Sequence, residues 1–241
     1  MSGAKPRYRR VVLKISGEGF CKPGGWGIDG QELSRIANQI AEVAELGTEL
    51  AVVVGGGNFL RGDTIASQTQ IQPSTGHYMG MLATVINALA LQDTLESMGL
   101  QTRVQSAISV AQVCEPFIRR RCIRHLEKRR VVILASGTGN PFVTTDTCAA
   151  LRATEIGADA LLKATKVDGV FDDDPTINPA AKRFDRLGYD EVIDRRLKVM
   201  DVSAVDICQQ HGVLIVVFSL ARCGNMKRVV LGEPVGTIIG S

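Results

Sequence analysis

Three glycine-bearing loops carry the residue types that bind phosphate groups. They are KISG at 14–17, GGGN at 55–58 and GTGN at 137–140, and each begins at or just after the end of a short apolar run. Runs of this kind are typical of parallel strands, whose ligands bind beyond the carboxyl ends. Glycine lets backbone N–H groups approach an anion without a Cβ in the way. Three such loops together predict a site that handles several phosphates.

Two basic side chains accompany the first two loops. Lys14 ends the first apolar run and could place a point charge on a phosphate held by the following N–H groups. The alternative is a solvated lysine on an edge strand. Arg61 follows the second loop, where a guanidinium can meet two phosphate oxygens at once, although a tight turn with a surface arginine would look the same. The presence of all three loops favours phosphate binding for both residues.

The third loop leads into a predicted helix with hydroxyl and amide side chains. Thr138, Asn140, Thr144 and Thr145 precede Asp146, and a helix N-terminus with hydroxyls suits an anion or a ribose. Asp146 either supports the helix dipole as a first-turn acid or steers the phosphate-binding lysine. Both interpretations stay open on the residues alone.

An acidic stretch follows later in the chain. Asp168, Asp172, Asp173 and Asp174 could assist magnesium through water, or Asp174-Pro175 could simply open a turn, and Asp174 is the better candidate for a functional role. The sequence contains no GxxxxGK[ST] motif, no GxSxG motif and no metal-ligand spacing of acids with histidines. Phosphoryl transfer needs no nucleophile from the protein, because positioning and charge neutralisation dominate its catalysis.

Alternating strand-like and helical patterns predict an α/β fold with a mainly parallel sheet covered on both faces. The pattern predicts strands at 10–15, 49–54, 101–105, 130–134, 160–162 and 213–218, and helices at 32–46, 79–98, 116–128, 145–156, 202–211 and 225–231. Asp29 is the expected N-cap of the first helix and Gly47 its stop. Irregular structure is expected at 16–28, 62–76 and 165–187.

The composition favours a cytoplasmic protein over a secreted or membrane protein. The 241 residues include six cysteines without a CxxC pair, and no signal-peptide core or membrane-spanning stretch is evident, which favours a cytoplasmic protein without a membrane partner. The net charge is only +3. Arginines concentrate between Arg119 and Arg130, where a solvated helix face is the default and an effector-nucleotide or nucleic-acid patch is the alternative. No aromatic residue interleaves this run, so a nucleic-acid partner is not expected.

The chain resembles the bacterial uridylate kinases of the amino-acid-kinase superfamily along nearly its whole length. The motifs are LKISGE at 13–18, GGGNFLRG at 55–62, MGMLATVIN at 79–87, GTGNPFVTTD at 137–146, KATKVDGVFDDDP at 163–175 and KVMD at 198–201. The resemblance implies one domain over 1–241 with a three-layer α/β/α sandwich, a homohexamer, and γ-phosphoryl transfer from Mg-ATP to UMP in pyrimidine nucleotide synthesis. It further implies that about 1–160 serves the acceptor and oligomer contacts and about 161–241 mainly binds ATP.

Site residues follow from the resemblance by matching positions. Lys14, Asp146 and Asp201 would be catalytic: the lysine neutralises the transferred group and the acids orient lysine or metal. On residue chemistry alone, the alternative for Asp201 is a simple helix N-cap. The expected ATP contacts are Lys14, Ile15, Ser16, Gly17, Gly57, Arg61, Thr165, Phe171 and Asp174. The expected UMP contacts are Gly56, His77, Thr138, Gly139, Asn140, Pro141, Phe142, Val143, Thr144 and Thr145.

Two departures from the family pattern bear on function. His77 stands where many relatives carry an aspartate that binds the UMP ribose, and a neutral imidazole accepts one hydrogen bond where a carboxylate offers two oxygens. We therefore expect weaker UMP binding or altered ribose discrimination. Gln92 and Glu96 replace basic residues that accompany GTP activation in relatives, so GTP is a weaker expectation than inhibition by UTP. Two alternatives remain, a nucleotide-binding regulator or storage protein, and a family enzyme acting on a carboxylate or carbamate.

Overall fold

A single nine-stranded sheet runs through the part of the chain that this computed structural model describes, residues 5–61, 67, 69–175, 177–197 and 199–240. The sheet order is β4-β3-β5-β2-β1-β6-β8-β9-β7. Only β8 and β9 pair antiparallel; the other neighbouring pairs are parallel. The strands are β1 Arg10–Ile15, β2 Glu49–Val54, β3 Thr102–Ser106, β4 Glu115–Pro116, β5 Val131–Ala135, β6 Ala160–Thr165, β7 Arg186–Leu187, β8 Leu214–Ser219 and β9 Thr237–Ile239.

Helices cover both faces of the sheet. They are α1 Gly30–Glu45, α2 Pro73–Ser97, α3 Arg119–Glu127, α4 Thr145–Ile156, α5 Tyr189–Asp194, α6 Val202–His211 and α7 Asn225–Val230. One apolar core joins α1, α2 and α7 to one face of the sheet. A second core joins α3, α4, α5 and α6 to the other face. The result is the three-layer α/β/α sandwich with a mainly parallel sheet that the sequence predicts.

The central strands are buried on both faces, as expected for a parallel sheet between helical layers. All six residues of β1 and of β2 are buried. Side chains alternate between the faces, so Leu13 and Ile15 enter the first core while Val12 enters the second. By the same alternation, Lys14 points to the face that α4 covers. In β6, Leu161 enters the second core, which places Lys163 on that face as well.

Local capping sets where the two helices nearest the strand ends begin. Asp29 accepts hydrogen bonds from Gln31 N and Glu32 N and caps α1, as predicted. Thr144 accepts a hydrogen bond from Thr147 N and caps α4, which ends at Gly157 with a φ of 65°. These caps satisfy backbone N–H groups that the first turn leaves without partners. The α4 cap places Asp146 in the first turn, directly beyond the third glycine loop.

All the predicted strands and helices are present, with ends that differ by up to six residues, but several short elements were not predicted, among them a 3-10 helix at Gly17–Phe20. The short strands β4, β7 and β9 and the short helix α5 were not predicted, because two to six residues carry too little periodicity to detect. Helix α2 begins at Pro73, six residues before the predicted start, since proline is suited to a first helical position. The expected irregular stretch 62–76 is therefore wrong from 73 onward. Residues 62–66 and 68, and Lys198 of the last motif, lie outside the described residues.

No helix within the described ranges is long and apolar enough to cross a bilayer.

Candidate active site

The three glycine loops meet in one cavity of about 540 Å³. Strands β1, β2 and β5 are neighbours in the sheet and all three are parallel, so their carboxyl ends lie side by side. Ser16 and Gly17 line the cavity from the first loop, 55–57 from the second, and Gly137 and Thr138 from the third. The convergence that the sequence predicts is therefore present.

The first two loops touch so closely that only glycine fits. A Cβ on Gly17 would lie 2.3 Å from the backbone N of Gly57, and a Cβ on Gly56 would lie 2.7 Å from the carbonyl oxygen of Gly80. These neighbours are backbone atoms, which cannot swing away as a flexible side chain would. The glycines thus bring the backbone of two loops and of α2 together around the cavity.

Asp146, which lines the cavity, joins two buried lysines. Its Oδ1 lies 2.8 Å from Lys14 Nζ and its Oδ2 lies 2.5 Å from Lys163 Nζ. The two lysines are direct neighbours, because Lys14 of β1 pairs in register with Lys163 of β6. Asp146 therefore does more than support the helix dipole. It holds two positive charges side by side: Lys14 and Asp146 line the cavity, whereas Lys163 lines neither cavity and adjoins the site through Asp146.

The charges of this trio determine how its members titrate. Burial alone would raise the pKa of Asp146, but Lys14 and Lys163 outweigh burial and hold that pKa below its ordinary value. Burial lowers the pKa of Lys163, Lys14 lowers it further, and Asp146 opposes both. The site thus keeps a carboxylate charged between two ammonium groups. The pKa of Lys163 therefore lies below its ordinary value, so this side chain loses its proton more readily than a lysine in water.

Asp201 lies at the N-cap position of α6 but does not cap that helix. Its φ and ψ of −58° and 141° fit the cap position, yet its side chain makes no capping hydrogen bond. Instead, its carboxylate accepts hydrogen bonds from the hydroxyls of Thr144 and Thr147 and lines the cavity. Thr147 Oγ1 also lies 3.0 Å from Ser203 Oγ. The structure therefore favours a site role for Asp201 over the simple N-cap.

Arg61 reaches the cavity beside a carboxylate that the sequence analysis did not single out. Glu18 forms ion pairs with Arg61 and, at 3.4 Å, with Lys166. Burial raises the pKa of Glu18, but Arg61 and Lys166 lower it by more, so the group stays charged. A second cavity of about 700 Å³ shares Ser16 and Glu18 with the first and is also lined by Thr165. Glu18 thus stands where the two cavities meet.

Most of the predicted acceptor contacts line the same cavity. His77 of α2 lines the cavity, and its ring packs edge-on against the ring of Phe142 at a centroid distance of 4.6 Å. The described cavity lining also includes Gly56, Thr138, Asn140, Val143, Thr144 and Thr145. Gly139 and Pro141 belong to the same loop but do not line the cavity.

Two predicted donor contacts lie elsewhere. Phe171 forms an isolated bridge with Arg183, and neither it nor Asp174 lines either cavity. In the same loop, Asp173 accepts hydrogen bonds from Asp174 N and Asn178 Nδ2, and Asp172 accepts one from Lys182 N. Asp172 and Asp173 thus serve the turn, which is the structural alternative that the sequence left open.

Comparison with known proteins is consistent with this geometry. Residues 9–219 match the amino acid kinase family. The chain belongs to the amino acid kinase family. It is 38% identical to the UMP kinase from Bacillus anthracis, with 97% of this chain and 96% of that chain covered and a TM-score of 0.94. It is 33% identical to the UMP kinase from Ureaplasma parvum, over 98% and 100% of the two chains, with a TM-score of 0.91.

A more distant likeness extends to an archaeal protein. The uridylate kinase from Archaeoglobus fulgidus shares 28% identity over 95% of this chain and 99% of that chain, with a TM-score of 0.72. The family membership identifies the protein as a phosphotransferase of the kinase class.

Lys163 is the member of this family site that the sequence analysis missed. It stands inside the apolar run ALLKAT, just as Lys14 stands inside RVVLKI. A lysine at an inward position of a buried strand is costly unless it is paired. The shared pattern could have indicated that Lys163 is a buried, paired lysine like Lys14. Its partner Asp146 could not be identified from the sequence, because the two residues meet only in the folded structure.

The arginine-rich helix α3 lies apart from the cavity. Arg120, Arg121 and Arg124 are exposed, Arg124 lies 3.6 Å from Glu127, and Arg119 donates to the backbone oxygen of Glu155. None of them lines either cavity. Exposed arginines are common to a solvated helix face and to a surface patch, so the default interpretation of the sequence stays a prediction.

Proposed function

We propose that this amino acid kinase transfers the γ-phosphoryl group of ATP to UMP and releases UDP and ADP. The observation that carries the proposal is the Lys14–Asp146–Lys163 trio at the point where three glycine loops meet. It is supported by the similarity to proteins described as UMP kinases. The proposed role belongs to the synthesis of pyrimidine nucleotides, the precursors of CTP.

The lysines and the aspartate of the trio have different roles in phosphoryl transfer. The transferred group carries charge on its three equatorial oxygens, so fixed positive charges stabilise its transition state. Lys14 supplies such a charge in the cavity, Lys163 adds a second charge from the adjacent strand behind Asp146, and Asp146 holds both without taking part in bond making. The glycine loops add backbone N–H groups. The acceptor phosphate oxygen attacks directly, so no protein nucleophile is required.

The two nucleotides would enter from opposite sides of the first glycine loop. We assign ATP to 14–17, Gly57, Arg61 and Thr165, with Phe171 and Asp174 at the outer part of the same segment. UMP would use Gly56, His77 and 138–145. The acceptor contacts thus all lie within 1–160, whereas the donor contacts are shared between 14–61 and 161–241, the part that the family resemblance assigns mainly to ATP.

Magnesium fits the carboxylates of the cavity. Both oxygens of Asp146 face lysines, whereas Asp201 lines the cavity from α6. Asp201 with the phosphates of ATP matches the donor set that Mg²⁺ prefers, one or two carboxylates and substrate oxygens. When bound, the ion would neutralise charge on the phosphate chain. Asp201 is held in place for this by Thr144 and Thr147.

We also propose that the protein works as a homohexamer. Tyr78, Leu82 and Ile86 repeat every fourth residue on α2, and each is more than two-fifths exposed. Such a stripe on a helix is typical of an association face.

UTP would inhibit because it resembles the acceptor product. GTP activation has less support, because the positive charge of Arg103, which an effector nucleotide could use, already lies 3.6 Å from the carboxylate of Glu96.

The six free cysteines, five of them buried, suit a reducing cytoplasm.

A coupled assay of ADP release tests the reaction. The purified protein is offered Mg-ATP with UMP, CMP, AMP or GMP, and separately with amino-acid and carbamate acceptors. We expect turnover with UMP well above that with every other acceptor. Lys14→Met should abolish turnover while the fold is kept.

Other outcomes would identify the alternatives. Turnover with a carboxylate or carbamate and none with UMP would identify another activity of the family. Binding of UMP and ATP without any ADP release would indicate a nucleotide-binding regulator. Either result contradicts the proposal.

A further inference from the structure

Behind the second glycine loop lies a pair of buried amide side chains that the reaction itself does not use. Asn58 follows the three glycines and is 2% exposed, and Asn87 lies in the middle of α2 and is fully buried. Asn58 Nδ2 donates to Asn87 Oδ1 at 2.9 Å, and Asn87 Nδ2 donates to Asn58 Oδ1 at 2.7 Å. Neither side chain lines a cavity, so neither touches a nucleotide.

Each amide uses its second hydrogen on a backbone carbonyl beside the site. Asn87 Nδ2 donates to the oxygen of Gly55, the first residue of the second glycine loop, at 2.8 Å. Asn58 Nδ2 donates to the oxygen of Gly27 at 2.7 Å, and the N of Gly27 donates back to the oxygen of Asn58. Every hydrogen of both amides is therefore used, a condition under which a buried polar network makes its surroundings rigid.

The pair also contacts the first glycine loop. A Cβ on Gly17 would lie 2.7 Å from Asn58 Oδ1, in addition to its clash with Gly57 N. Asn58 therefore packs directly under Gly17. A shift of its side chain would move the surface on which the first and second loops rest.

The same helix that carries Asn87 holds the third loop. Thr84, three residues earlier on α2, accepts a hydrogen bond from the N of Ser136 at 2.7 Å. Gly80 contacts Gly56 on the same side of the helix. Since α2 meets the second and third loops through neighbouring turns, it is a common anchor for both.

We infer that Asn58 and Asn87 are positioning residues, whose reciprocal amide pair fixes the second glycine loop against α2 and so sets the alignment of the two nucleotides. The inference rests on the proposed function, because Gly56 is assigned to the acceptor and Gly57 to the donor. Displacement of reacting groups by about 1 Å can reduce a rate about 10²-fold, so a loosened loop should affect turnover more than nucleotide binding.

Leucine substitutions separate positioning from stability. Asn58→Leu and Asn87→Leu alone each leave a buried amide without its partner and should lower the unfolding midpoint. The double variant replaces both partners with apolar groups of similar size, which can be nearly neutral for stability. We expect it to recover the stability lost through the unpaired amide but not the part lost when the oxygens of Gly55 and Gly27 lose their amide donors. We expect kcat to stay about 10- to 100-fold below wild type while KM for each substrate changes less.

Hydrogen exchange supplies a readout that does not depend on activity. Amide exchange in the peptide spanning 55–60 should accelerate in the double variant, because Gly55 loses its tie to α2. Tyr189→Phe is the matched control: it removes a buried 2.7 Å hydrogen bond to the backbone oxygen of Val213, far from the cavities. It should lose stability but keep kcat and the exchange rate of 55–60.

The outcomes distinguish this inference from the proposed function. A double variant with wild-type kcat and unchanged exchange would show that the pair is only structural and would overturn the inference. If that variant does not fold, Asn87→Ala is assayed well below its own unfolding midpoint, with the same expected loss of kcat. If the wild type makes no UDP, the proposed function fails, and the exchange measurement alone decides the role of the pair.

Discussion

Replacing Asp146 with asparagine tests the core of the proposed mechanism. The substitution keeps the size of the side chain but removes its charge. Asp146 presents one oxygen to Lys14 and the other to Lys163. Asparagine offers one oxygen and one NH₂ group, so it can accept from only one lysine and turns N–H groups toward the other. We expect the two ammonium groups to lose their common anchor.

The size of the effect follows from burial. The side chain of Asp146 is 13% exposed, and those of Lys14 and Lys163 are 8% and 11% exposed. Removal of one partner from a buried ion pair destabilises a protein by about 3–5 kcal/mol. If about 3 to 4 kcal/mol of transition-state stabilisation is lost with the aligned charges, kcat falls about 10²- to 10³-fold.

The substitution should change the pH dependence of kcat and of stability in a direction that can be measured. Burial and Lys14 lower the pKa of Lys163 while Asp146 raises it, so the variant should lower that pKa further. The alkaline decline of kcat should then begin at a lower pH than in wild type.

Because the folded-state pKa of Asp146 is depressed, its stabilising effect is present above its unfolded pKa and disappears as pH falls through the folded value. The stability gap between wild type and variant should therefore shrink in acid.

Glu49→Gln is the matched control for this experiment. Glu49 Oε2 pairs with Arg10 Nε at 2.6 Å, with both side chains less than one-tenth exposed, at the amino ends of β1 and β2. Its loss should reduce the free energy of unfolding and leave kcat and its pH profile unchanged. If Asp146→Asn lost stability yet kept kcat within threefold and an unshifted alkaline limb, the assignment of the trio to catalysis would be refuted.

Four further variants probe the other parts of the site and the proposed association face. Lys163→Met should lower kcat at least as much as the loss of Asp146, while isothermal calorimetry still detects UMP binding. His77→Asp should lower KM for UMP, and an unchanged KM would remove the ribose argument. Gly17→Ala should abolish ATP binding measured by calorimetry, because its Cβ would lie 2.3 Å from a backbone nitrogen. Leu82→Arg with Ile86→Glu should reduce the assembly seen by light scattering, and a persisting hexamer would contradict the association face on α2.

Sequence patterns were sufficient for the six longer strands of the sheet and for the meeting of the loops. Strands β1 and β2 contain the apolar runs 11–13 and 50–54, and a glycine follows the end of each strand within two residues. Parallel pairing of such strands places their tips on one edge, so the convergence of the loops follows from the fold class. Capping residues Asp29 and Thr144 are local signals and could be detected in the same way.

The parts that sequence could not supply are contacts between distant elements. Glu18, Lys163 and the Asn58–Asn87 pair each gain their role from a partner at least 17 residues away. A single sequence shows which residue types are present but not which lysine faces which carboxylate. The Asp172–Asp174 loop is the converse case. Its acidic composition suggested a ligand, whereas local hydrogen bonds in the turn account for two of the three acids.

The arrangement explains why the site is built across several elements rather than on one loop. Two lysines on adjacent buried strands would repel each other, and burial already lowers the pKa of Lys163. A carboxylate from the first turn of α4 resolves this conflict only if the third glycine loop ends at the right place. That loop is tied to α2 through Thr84, and the second loop is tied to the same helix through Asn87. The charge pattern and the loop anchors therefore depend on one another, which predicts that variants of Asp146 and Asn87 will show non-additive losses of kcat in a double-mutant cycle.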